Sequence, residues 1–130
     1  MSIKDKVAVI GVGCCKFGEN WTQSQEDMLV EAAFDAYTDA NIEASQIQAA
    51  WVGIQYASTG MAGIGLADPL KLYGIPVTRV ENFCASGMDA FRNAVFAVAA
   101  GVYDIVLAAG VEKLMDAGSR GLPGTGGGHP

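Results

Sequence analysis

Half of the 130 residues are hydrophobic and only 17% are charged, a balance that builds a globular core and excludes a disordered chain. The net charge of −6 excludes a nucleic-acid binder, since there is no basic surface to neutralise phosphates. No apolar run approaches the length of a membrane span, and the opening MSIKDKVAVIGVG has no leader pattern, so a cytosolic chain with no membrane contact is expected.

KVAVIGVGCC (6–15) is a short, continuous apolar run rich in β-branched residues, the pattern of a strand covered on both faces. A helix is expected across 20–42, because Met28, Leu29, Ala32, Ala33, Ala36, Tyr37 and Ala40 recur at helical spacing. Thr22 or Ser24 can cap it, and Glu26 and Asp27 suit its first turn. IQAAWVGIQ (47–55) predicts a second strand. A glycine-rich loop follows, then a short helix over 64–73 whose regularity Pro69 limits. VTRVENF (77–83) predicts the third strand. A third helix spans 84–101, with Met88, Phe91, Val95, Val98 and Val102 along one face. YDIVLAAGVEKL (103–114) closes with a fourth strand. Strands and helices alternate, so the fold class is α/β with a mostly parallel sheet and right-handed crossovers. The last residues, 117–130, form a Gly/Pro-rich loop region after a domain of 1–116, and the chain is expected to be the front part of a larger protein.

Three cysteines, two of them adjacent, make no disulfide framework, and no cysteine–histidine spacing holds a metal. Cys14 and Cys15 read as packing residues at a strand end. The glycines of GVGCCKFG lack the spacing of a dinucleotide loop. Asp68, Lys71 and Arg79 read as surface or interface charges, while Glu112 either supports a loop near the site or is simply solvated.

Cys84 is different. It falls at the carboxyl end of the third strand, where ligands gather in open α/β sheets, and at the start of a helix whose unpaired N–H groups and dipole favour a thiolate. Ala85, Ser86 and Gly87 are small, leave room for a substrate, and carry backbone N–H groups that can face an anion. The bland reading of Cys84 is a buried, inert thiol.

The segment ENFCASGMDAFRNAVFAVAAGVYDIVLAAGVEK (81–113) resembles the nucleophile segment of the thiolase superfamily: Asn before the Cys, the Cys-Ala-Ser-Gly turn, an alanine-rich helix, and a strand ending in Ala-Gly-x-Glu. The opening VAVIGVGCCKFGE and the helix from Ser24 resemble the same superfamily's amino-terminal half, most of all its sterol-carrier-protein-type acetyl-CoA acetyltransferases. The resemblance implies that Cys84 is the catalytic nucleophile, with Ser86 and Gly87 beside the substrate. It implies acyl transfer through a cysteine thioester, with Claisen condensation or thiolysis of a 3-ketoacyl-CoA, a reaction of lipid metabolism. Coenzyme A enters as a thioester substrate, with no redox or metal cofactor. It also implies a histidine and a second base from a carboxyl-terminal half absent here, so the isolated chain is expected to be inactive. GGGHP superficially resembles the family's later histidine motif but comes too early, so His129 reads as part of a loop. In thiolases the strand before the nucleophile pairs with its copy, so TRVEN, with Arg79 and Glu81, predicts at least a dimer. A ketoacyl synthase, a non-catalytic half acting by pairing, and a carbon–carbon lyase on a steroid-type acyl-CoA are the alternatives. Lyases of that branch tend to lack the cysteine, which counts against the last.

Overall fold

A computed structural model of the chain describes residues 2–55 and 63–114. The elements are helix α1 (Gln25–Ala40), a 3-10 turn (Ala44–Gln46), strand β1 (Ala49–Gly53), short helix α2 (Ile64–Ala67), strand β2 (Val77–Val80), helix α3 (Ser86–Ala99) and strand β3 (Val106–Gly110). The three strands form one parallel sheet in the order β2-β1-β3. β1 is therefore central, and Gly53 at its end is in register with both Val80 and Gly110. The α/β class and the parallel pairing expected from the sequence are present.

α1 begins where its sequence provides a cap. Ser24 accepts from the Asp27 N–H through its hydroxyl (3.1 Å), and Asp27 accepts from the Ser24 N–H (2.8 Å), a reciprocal capping box. Of the two candidate caps it is Ser24, not Thr22, that is used. These bonds, the Ser24 backbone N–H first and its hydroxyl second, hold the Asp27 carboxyl below its ordinary 3.8. A lowered folded value means that Asp27 favours the fold above the ordinary carboxylate pKa and that this contribution is lost as the pH falls below it. Ser24→Ala is expected to cost about 1 kcal/mol, and Asp27→Asn to destabilise near neutral pH and visibly less at about pH 3. Urea unfolding of Asp27→Asn at the two pH values checks the linkage, and an equal loss at both would refute it.

The core lies on one face of the sheet. Leu29, Ala33 and Tyr37 of α1 meet Ala50, Val52, Ile54 and Leu107, with Leu66, Leu70 and Leu72 closing the side. Alternation along β1 turns Gly53 to the opposite face, where α3 packs. There the buried residues of α3 are Ser86, Ala90 and Ala94. The predicted core stripe of bulky residues is corrected: Met88, Phe91 and Val102 are exposed, and Val95 and Val98 are half-buried. A glycine-ended strand demands a close helix approach, and only the small face of α3 allows it.

The predicted first strand is also corrected. Among the described residues, 6–15 pair with no strand, and Val9, Ile10 and Val12 are exposed. The segment instead lies along α1. A Cβ on Gly11 or Gly13 would collide with the α1 backbone, and the Val12 N–H donates to Asp39 Oδ2 at 2.9 Å. Between this segment and β3 runs an apolar groove of about 400 Å³, floored by residues such as Leu29, Ala33, Phe91 and Val95. Among the described residues no helix is long and apolar enough to cross a membrane.

Candidate active site

β2 ends at Val80, and the chain must turn sharply to enter α3 at Ser86. Phe83 takes a left-handed conformation, φ +49°, which a bulky side chain adopts only when its surroundings impose it. The surroundings here are a set of short hydrogen bonds. Ser86 is buried, and its hydroxyl accepts from the Asn82 N–H (2.8 Å) and donates to the Phe83 carbonyl (2.6 Å). The Ala85 and Ser86 N–H groups donate to the Asn82 and Phe83 carbonyls at 2.9 and 3.1 Å. Glu81 Oε1 accepts from the Phe83 N–H at 2.6 Å. The loop is thus pinned from within on both sides of one residue, Cys84, whose thiol is free and exposed.

The thiol stands slightly farther from the helix than its sequence position suggests. α3 begins at Ser86 with Ala85 as its cap, so Cys84 lies just before the first turn rather than in it. Of the three N–H groups expected to face an anion, those of Ala85 and Ser86 are already used in the turn. Those of Gly87 and Met88 have no partner among the described residues, as first-turn donors do. A Cβ built on Gly87 would meet nothing within 4 Å, so the space there is open, as the small-residue reading requires.

What holds the turn over the sheet is contact between glycine and backbone. A Cβ on Gly53 would lie 2.5 Å from the Ser86 carbonyl carbon and oxygen and 2.7 Å from the Gly87 nitrogen. Only a residue without a Cβ lets α3 come down on β1 there. Gly110, on the neighbouring strand, is less constrained, its Cβ meeting the Gly53 carbonyl oxygen at an ordinary 3.4 Å.

Glu112 ties strand ends together: its Oε2 accepts from the Gln55 N–H at 2.9 Å, across the end of the sheet. Arg79 reaches the same place from β2, its Nη2 donating to the carbonyls of Ile54 (2.7 Å) and Gln55 (3.1 Å). Arg79, expected to be a surface or interface charge, is half-buried on an edge strand of the described sheet and bonds these carbonyls. Asp68 accepts from the Tyr73 hydroxyl at 3.0 Å, and Lys71 lies in the turn after α2. Cys15 is half-buried, and burial first, then the neighbouring Cys14 and Glu31, pushes its thiol pKa up, which suits packing. Cys14 is exposed instead. His129 and the boundary after residue 116 lie outside the described residues. Among the described residues no cluster of acidic, histidine and cysteine side chains could hold a metal. Sequence reasoning missed Phe83 and Gln55, and placed Glu81 on a pairing strand rather than in the turn.

The thiolase amino-terminal domain family matches residues 7–121. The acetyl-CoA acetyltransferase of Methanothermobacter thermautotrophicus is 46% identical over 114 residues, covering 85% of this chain and 30% of its own length. Sterol carrier protein 2 of Rattus norvegicus is 37% identical over 120 residues, covering 89% and 22%. The chain therefore spans less than a third of the curated relatives it matches. The crystal structure of 3-oxoacyl-[acyl-carrier-protein] synthase III from Aquifex aeolicus superposes with a TM-score of 0.70 at 16% identity, over 83% of this chain and 45% of that one, a likeness of fold. A pinned, exposed cysteine between strand and helix, within a sequence that matches this family along most of its length, leaves one assignment: the chain belongs to the thiolase family, in its amino-terminal domain.

Proposed function

We propose that this chain carries the nucleophile of a thiolase-type acyl-CoA acyltransferase, and that the nucleophile is Cys84. The Cys84 thiolate attacks the carbonyl carbon of an acyl-CoA thioester. The tetrahedral oxyanion collapses, the bond to the CoA sulfur breaks, and CoA leaves with the acyl group on Sγ. A second acyl-CoA, deprotonated at its α-carbon, then attacks the acyl-cysteine to give a 3-ketoacyl-CoA and return the thiolate; CoA-driven cleavage is the reverse.

The single observation that carries this reading is the exposed Cys84 thiol on a turn fixed by Ser86 and Glu81 at the carboxyl end of a parallel sheet. Ser86 holds the turn and Gly87 leaves space for the thioester. We assign the Cys84 backbone N–H to the tetrahedral oxyanion. We assign the base that activates the thiol and the base that takes the α-proton to parts of a thiolase that this chain does not supply. The chain alone then carries the first half-reaction at most. Partners follow in kind: an acyl-CoA substrate, and a second copy along β2, an edge strand of the described sheet. Three free cysteines suit a reducing, cytosolic setting.

Incubation with acetyl-CoA or acetoacetyl-CoA, followed by peptide mapping, tests the reading. A hydroxylamine-labile acetyl group on the peptide holding Cys84 is expected. A folded protein with the adduct elsewhere would overturn it, and no adduct at all would show the thiol to be ordinary without the base that this chain does not supply. The synthase likeness supports a second reading, a ketoacyl synthase. Faster acylation from an acyl-carrier-protein thioester than from acyl-CoA would favour that one.

A further inference from the structure

Gln55 is the second residue past β1, and both of its backbone groups are held by charged side chains from the flanking strands. Glu112 accepts from its N–H, and Arg79 donates to its carbonyl while also binding the Ile54 carbonyl through Nε (3.1 Å) and Nη2 (2.7 Å). Hydrogen bonds to ionised groups are the stronger kind, and a guanidinium spans two carbonyls with a rigid, planar fork of donors. The position in the fold explains why they occur here. The register ends with Gly53 level with Val80 and Gly110, so two residues on the chain reaches Gln55, Asn82 and Glu112. Asn82 is where β2 leaves the ladder to make the Cys84 turn, its N–H already given to Ser86 Oγ. The end of β1 would otherwise stand open beside that turn.

We propose that Arg79 and Glu112 are positioning residues that clamp Ile54–Gln55 as a rigid flank beside Cys84, in place of the ladder that β2 gives up to present the nucleophile. The proposal rests on the acyl-transfer reading for its consequence and on the geometry for its existence. An acyl-CoA must present its carbonyl to the thiol at a set angle, so a frayed flank slows transfer. A small alkylating agent needs only access to sulfur and is indifferent to the flank.

The test compares wild type, Glu112→Ala, Glu112→Gln and Arg79→Met in the full chain. The measured quantities are acetyl transfer from acetyl-CoA to Cys84, alkylation of Cys84 by iodoacetamide, and amide hydrogen exchange at Gln55 and residues 82–86. Glu112→Ala and Arg79→Met are expected to slow acetyl transfer by about tenfold to a hundredfold, with alkylation unchanged and exchange faster at Gln55 and in the turn. Glu112→Gln keeps an oxygen that accepts the Gln55 N–H and is expected to restore both. Unchanged exchange in the turn overturns the clamp. So does equal slowing of both reagents with faster exchange across the whole sheet, which marks a plain loss of stability. If wild type takes no acetyl group, the thiol is ordinary without its missing base, and exchange alone decides the clamp: local loosening in Glu112→Ala that Glu112→Gln reverses supports it, and no loosening overturns it.

Discussion

Replacing Cys84 by alanine is expected to abolish the acyl adduct and leave the protein folded. The thiol is exposed, and a surface truncation of this kind changes stability by no more than about 0.5 kcal/mol. In an assembled thiolase, turnover should fall on the order of 10⁴-fold or more, since loss of a nucleophile leaves only what binding and oxyanion donors contribute. Cys84→Ser should fare little better, as a hydroxyl is a far weaker nucleophile near neutral pH. Cys14→Ala and Cys15→Ala should leave the adduct intact, because these residues lie on the segment along α1 rather than on the turn after β2. A Cys84→Ala protein that still acquires a thioester-linked acetyl group would move the nucleophile to one of those two.

The second large effect is on the sheet rather than the thiol. Gly53→Ala sets a methyl group 2.5 Å from two Ser86 backbone atoms, and backbone cannot swing aside as a flexible side chain can. Either α3 lifts from β1 or the strand bends. Overpacking of this kind costs ~1–3 kcal/mol, a large part of the ~5–15 kcal/mol that holds a domain together, and Gly53→Val should exceed it. Because the contact is with the residues that follow Cys84, acylation should drop at least as steeply as stability. Denaturant midpoints and adduct formation rates measure the two effects. Gly110→Ala is the control, its added Cβ meeting only ordinary contacts. A Gly53→Ala protein as stable and as readily acylated as this control would show that α3 is not seated on Gly53.

Much of this arrangement was legible in the residues. Ser24 and Asp27 mark the start of α1, since a cap and an acidic residue at that spacing answer unpaired N–H groups whatever the tertiary context. The three strands could be found from their β-branched runs, and Cys84 from its place between a strand and a helix. What could not be read depended on distant partners. An apolar run at 6–15 states that burial is wanted but not against what, and here the glycines fit it to α1 instead of to a strand. The bulky stripe of α3 looked like the core face because size usually marks the core; Gly53 reverses this by admitting only Ala90, Ala94 and Ser86. Arg79 and Glu112 could be singled out but not assigned a partner, because that partner is the backbone of a residue beyond another strand. The left-handed Phe83 was hidden for a similar reason: φ there is imposed by Ser86 and Glu81 rather than preferred by phenylalanine.

The central place of β1 also sets the order in which the molecule can be built. Every pairing in the sheet passes through this strand, first with β2 and then, about twice as far along the chain, with β3. Doubling that loop adds only ~0.6 kcal/mol of closure entropy, so the delay is one of sequence rather than of a high barrier. During synthesis Cys84 leaves the ribosome ahead of Gly110 and Glu112, so its turn can close on β1 before those two are free to pack. The Cys84 thiol is therefore exposed before part of its bracing, and the nascent chain passes through a stage at which the turn is present but not yet held from the far side of the sheet.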